Sequence, residues 1–133
     1  MIVSIADTHT AIWYLFNDPR LSSTARQAFQ ETAANGGHVG VSSISLAEMV
    51  YLCEKGRIVA TAVEDLLAAF NDPENVLQEV ALDSHIVQGM RLVPRDQVPD
   101  LPDRIVAATG LRYGVPVISR DGKIRAASLQ TIW

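Results

Sequence analysis

Residues 101–119 read LPDRIVAATGLRYGVPVIS, and their order decides the fold. Pro102, Asp103 and Arg104 open a run of apolar and small residues that predicts a buried helix from Asp103 to Tyr113. Gly114 stops that helix, and the β-branched VPVIS after it predicts a buried strand. A helix feeding a buried strand is half of a crossover unit, and the chain repeats the unit upstream. MIVSIA reads as a strand ending at Asp7, followed by a helix over THTAIWYLFND that closes before Pro19. Ser22 caps a second helix through Asn35, stopped by Gly36-Gly37. HVGVSSI is the next strand, and SLAEMVYLCEKG the helix after it, ended by Gly56. Val59 to Phe70 continues helical until the turn signal NDPEN. VLQEVAL is a third strand, Asp83 to Val93 a helix, and PRDQVPDLP a proline-broken loop. Beyond VPVIS, GKIRAA makes a short helical turn and LQTIW a last strand.

Strands alternating with helices predict one α/β domain over residues 1–133. It is a three-layer α/β/α arrangement around a parallel, doubly wound sheet of four to five strands. At 133 residues such a domain buries a core without staples. No apolar run is long enough for a membrane span. The opening MIVSIADTH lacks a signal-peptide pattern, and the one cysteine, Cys53, has no internal partner; a reducing cytoplasm is the expected setting. Cys53 lies in a helical pattern and reads as a packing residue. The net charge of −4 argues against nucleic acid until its distribution is considered. Residues 1–90 hold 4 basic and 11 acidic side chains, residues 91–133 hold 7 basic and 4 acidic. The second segment is compatible with a phosphate-bearing partner, and equally with an ordinary solvated surface.

In a doubly wound sheet, strand ends and the starts of the following helices share one edge, where ligands bind. Asp7 follows the first strand, Glu48 lies early in the helix after the second, Asp103 begins the helix before VPVIS, and Asp121 follows VPVIS. Each has an ordinary structural explanation. Asp7 and Asp121 suit a helix cap and a turn, Ser45 to Glu48 has capping-box spacing, and Asp103 complements a helix N-terminus. Four on one edge are harder to explain separately. Crowded carboxylates repel, and a divalent cation removes the repulsion. Without a Cys/His set, the donors suit Mg²⁺ or Mn²⁺ rather than zinc. Such an ion can activate water and steady charge on a phosphoryl group, so phosphodiester hydrolysis fits best.

The ordered set D-T-H, S-L-A-E, P-D-R-I-V-A-A-T and S-R-D resembles the PIN domain, and within it the VapC-type toxins of bacterial toxin–antitoxin pairs. The resemblance covers both ends and the middle of the chain, leaving residues 57–95 generic. It implies a Mg²⁺- or Mn²⁺-dependent endoribonuclease with Asp7, Glu48, Asp103 and Asp121 as catalytic and metal-binding acids. It also implies Asp100 as an additional acid and Ser119 as a neighbour that orients a ligand or water. It further implies an RNA substrate, a small antitoxin whose segment blocks the acidic rim, and a homodimer. Arg104 is expected to hold a phosphate or pair with a carboxylate, and Thr8 to cap the first helix. His9 is expected to pack or hydrogen-bond rather than ligate. Trp13, Tyr14 and Phe16 cannot all face inward, and one of them is expected to line the antitoxin groove. The loop VPRDQVPD is less polar than in many relatives and carries no inference about RNA selectivity.

Three other readings compete. A catalytically silent PIN-like module would bind metal or RNA without turnover. A phospho-acceptor signalling domain would need paired acids after the first strand and a late lysine; here only Asp7 follows that strand, and Lys123 is in the wrong context. A dehalogenase-like phosphatase would need Asp-x-Asp where the chain has Asp-Thr-His.

Overall fold

A computed structural model of the chain describes residues 1–127 and 129–133. Its strands are β1 (Ile2–Ala6), β2 (His38–Ser42), β3 (Leu77–Val80), β4 (Val117–Ile118) and β5 (Thr131–Ile132). Its helices are α1 (Thr8–Leu15), α2 (Ser23–Ala34), α3 (Ser43–Glu54), α4 (Ala62–Asn71), α5 (Ser84–Gly89), α6 (Leu101–Tyr113) and α7 (Gly122–Ala126). A 3₁₀ turn, Met90–Leu92, extends α5. All strand pairs are parallel, in the order β3-β2-β1-β4-β5. The five-stranded parallel sheet carries helices on both faces, the α/β/α arrangement the sequence predicts. No helix among the described residues is long and apolar enough to cross a membrane.

Period-two alternation puts neighbouring strand residues on opposite faces. Ala6, Val39, Val41 and Ile118 join Trp13, Phe29, Met49 and Leu66 in one core cluster. Ile5, Val80 and Val117 join Ile86, Val106, Ala107 and Ile124 in the other. Small residues let α6 sit close to the sheet. Ala107 and Ala108 are fully buried, and a Cβ on Gly110 would lie 2.7 Å from Val117 Cγ2 and 3.3 Å from the Val115 carbonyl oxygen. Gly110→Ala must therefore push α6 away from β4, and we expect a loss of about 1–3 kcal/mol, read by denaturant unfolding. An unchanged midpoint would contradict this packing.

Several element boundaries are narrower or shifted relative to the sequence reading, and those beside the acids matter most. β2 ends at Ser42, not Ile44, because the Ser42 hydroxyl caps α3 by accepting from the Ile44 N–H at 3.2 Å. Glu48 consequently lies in the second turn of α3, and Ser45 is a fully buried residue rather than its capping partner. α6 starts at Leu101, because Pro102 is accommodated in a first turn and Asp100 caps it.

Candidate active site

The strand order reverses between β1 and β4, so the crevice at their carboxyl ends is the expected ligand position. A cavity of about 370 Å³ opens there. Asp7, Glu48, Asp100, Asp103 and Asp121 all line it. The four acids expected to meet do share one cavity, and the additional acid joins them.

Three of the carboxylates, Asp7, Asp100 and Asp121, are helix N-caps, while Asp103 and Glu48 project from the first and second turns of helices. Asp7 leaves β1, is 8 % exposed, and caps α1 by accepting from the Thr10 N–H at 3.0 Å. Ser119, fully buried at the end of β4, donates to the other Asp7 oxygen and accepts from the Asp121 N–H at 2.9 Å. That one hydroxyl ties the ends of the two central strands together. Asp121 caps α7, accepting from the N–H groups of Lys123 and Ile124 at 2.7 and 3.2 Å. Asp100 is exposed, and accepts from the Asp103 N–H at 3.2 Å.

Thr8 departs from its expected role. Asp7 caps α1, and the buried Thr8 hydroxyl instead donates to Glu48 Oε1 and lies 2.9 Å from Ser45 Oγ. It orients an acid rather than a helix end. Arg104 also departs. It donates to the carbonyls of Val93 and Met90, both at 2.9 Å, strapping α6 to the 3₁₀ turn instead of pairing with a carboxylate. The Met90 carbonyl also accepts from the Val93 N–H at 3.0 Å, and the guanidinium supplies a further donor to it and one to the Val93 carbonyl past the end of the turn.

Electrostatics distinguish the acids. The Asp103 carboxylate accepts no hydrogen bond from a side chain or a backbone N–H among the described residues, although its own N–H donates to Asp100. Burial, reinforced by Asp100, Asp121, Asp7 and Glu48, pushes its carboxyl up to about 7. Glu48 is also raised, first by burial and then by Asp100 and Asp7, against the opposing effects of the Thr8 hydroxyl and His9. The carboxylates nonetheless stand apart. Among the described residues no three His, Cys, Asp or Glu side chains form a ready-made ligand set. The donor set fits a hard divalent cation all the same, because it consists of carboxylate oxygens whose mutual repulsion a positive ion relieves. Asp7, Glu48, Asp103 and Asp121 are the acids that would have to draw together to hold one, with Asp100 at the rim.

Four further residues complete the wall: Thr8, His9, Trp13 and Arg120. His9 is exposed, its ring 5.8 Å from that of Trp13. Trp13 is buried, Tyr14 stacks on Phe29 at 4.0 Å, and Phe16 is the outward aromatic. Sequence reasoning gave Arg120 no role, although its place between Ser119 and Asp121 was a signal. Lys123 does not line the cavity, which removes the late lysine a phospho-acceptor site requires.

The PIN domain family profile matches residues 5–129, and the chain belongs to the PIN domain family. Ribonuclease VapC22 of Mycobacterium tuberculosis is 24 % identical over 126 residues, covering 95 % of this chain and 92 % of that protein. The crystal structure of VapBC2 from Rickettsia felis bound to a DNA fragment from their promoter superposes with a TM-score of 0.71 at 13 % identity, covering 98 % of this chain and 97 % of the other. A toxin–antitoxin complex from Klebsiella pneumoniae gives 0.67 at 21 % identity, covering 98 % and 96 %. The two structures share the fold with this chain.

Proposed function

We propose that the chain is a Mg²⁺- or Mn²⁺-dependent endoribonuclease, the toxin of a toxin–antitoxin pair acting in the cytoplasm. The carrying observation is the convergence of five carboxylates, from four parts of the chain far apart in sequence, on one cavity at the strand-order switch. Membership of the PIN domain family and the likeness to a ribonuclease support it.

Asp7, Glu48, Asp103 and Asp121 hold the cation. When bound, the ion supplies a lowered water pKa and charge stabilisation at the phosphoryl oxygens. Ser119 fixes Asp7 against the backbone of Asp121, and Thr8 fixes Glu48. Without the ion Asp103, at about 7, holds a proton part of the time near neutrality and must release it to take a cation. Ser119→Ala removes the bridge between β1 and β4, and we expect Mn²⁺ affinity to fall roughly tenfold. Calorimetric titration checks this, and an unchanged affinity would remove Ser119 from the account.

Partners belong to the same reading. The solved structures of similar fold include toxin–antitoxin complexes, and an antitoxin segment is the proposed occupant of the rim. Apolar surface for antitoxin and homodimer contacts exists: Phe16, Ile58 and Val59 line a groove of about 520 Å³. The test is cleavage of total cellular RNA by antitoxin-free protein with Mg²⁺ or Mn²⁺, then with chelator, mapping new 5′ ends. Discrete metal-dependent cuts are expected. Metal binding without cuts would point to a silent binding module instead.

A further inference from the structure

Arg120 is the one lysine or arginine among the described residues lining the acid cavity. It sits between the buried Ser119 and the capping Asp121, so the end of β4 carries it to the wall. Its guanidinium carbon lies 4.6 Å from the centre of the Trp13 ring. Trp13 is only 4 % exposed and also meets Trp133 at 5.9 Å, which makes it a fixed platform. Arg20 approaches the same ring at 5.2 Å, but it is already committed, donating to Asp18 at 3.0 and 2.8 Å.

Arg120 is not committed. Among the described residues the ion pair within 4.0 Å is Arg20 with Asp18, so Arg120 pairs with none of the five acids that share its cavity. Stacking on an aromatic face holds a guanidinium in place without consuming its in-plane donors. An exposed planar fork of donors, fixed beside an acidic cavity, matches a phosphate diester in shape and charge. The cavity otherwise presents carboxylates to a polyanion, and Arg120 offsets that repulsion where the chain must enter.

We propose that Arg120, held by Trp13, binds an RNA phosphate next to the one that is cut. The inference rests on the nuclease reading and adds a substrate-gripping residue to it. Its test is steady-state cleavage of a 5′-labelled single-stranded RNA by the full chain with Mn²⁺. Arg120→Met should raise KM about tenfold while kcat stays within about twofold, the pattern of a lost ground-state contact. The slope of log(kcat/KM) against log[salt] should become shallower by about 0.7, the value for one phosphate contact on a single strand. Arg120→Lys should restore the slope but only part of the KM, because an ammonium lacks the fork. Mn²⁺ affinity measured without RNA should be unchanged in both variants. Unchanged KM and slope in Arg120→Met, with Mn²⁺ binding and cleavage intact, would overturn the proposal and leave the nuclease reading standing. A loss confined to kcat would overturn it too. Wild-type protein that neither binds Mn²⁺ nor cuts RNA would overturn both.

Discussion

Asp103→Asn is expected to lower the proposed metal-dependent RNA cleavage about 10³-fold, equivalent to about 4 kcal/mol of transition-state stabilisation. The size follows from position. Asp103 lies in the first turn of α6, half-buried, on a helix anchored by the buried run Ile105–Gly110. Asparagine keeps the shape and the helix but removes the charge that holds a cation. Asp100 makes the contrast. It is exposed and already accepts the Asp103 N–H, so Asp100→Asn should cost only about tenfold. Single-turnover rates at saturating Mn²⁺ decide the ranking, and equal losses at both positions would refute it.

Between pH 5.5 and 8 the metal-free protein should lose about 1–2 kcal/mol of stability. Burial and the neighbouring acids raise the Asp103 carboxyl from an ordinary 3.8 to about 7 in the folded chain. A group raised in this way contributes stability that is fully present below its unfolded value and is lost as pH rises through the folded one. The window therefore runs from about 3.8 to about 7, with water access to a half-buried carboxyl reducing the full effect. Glu48, also raised, acts in the same direction. Asp103→Asn should flatten the dependence, and Mn²⁺ should restore stability at pH 8 by binding the folded chain. Urea unfolding in chelator at the two pH values is the check. Stability that rises across this window in wild-type protein would contradict the electrostatic picture.

The order of elements was legible in the sequence because strand and helix periods, glycine stops and proline breaks are local signals. LPDRIVAATGLRYGVPVIS does form a helix and a buried strand, and the crossover rule alone predicted that Asp7, Glu48, Asp103 and Asp121 would share an edge. What stayed hidden depends on partners remote in sequence. Thr8 reads as a cap because it begins a helix, yet its hydroxyl is used 40 residues away on Glu48. Arg104 beside Asp103 reads as part of the site, yet its donors turn to Val93 and Met90. Trp13 reads as core or groove, and it is both buried and part of the cavity wall. Capping was readable as a tendency, but not which serine would cap. The choice of Ser42 over Ser45 moved Glu48 by a turn without moving it off the edge.

The most direct test of the cation site is calorimetric titration of metal-free protein with Mn²⁺ near pH 7, in buffers of different ionisation enthalpy. Saturable binding with proton release is predicted, since Asp103 is partly protonated at that pH and must ionise to take a cation. The release should disappear in Asp103→Asn together with most of the affinity. Binding without proton release would contradict the raised Asp103 carboxyl, and no saturable binding at all would mean that the carboxylates of this cavity are helix caps and surface acids rather than a metal site.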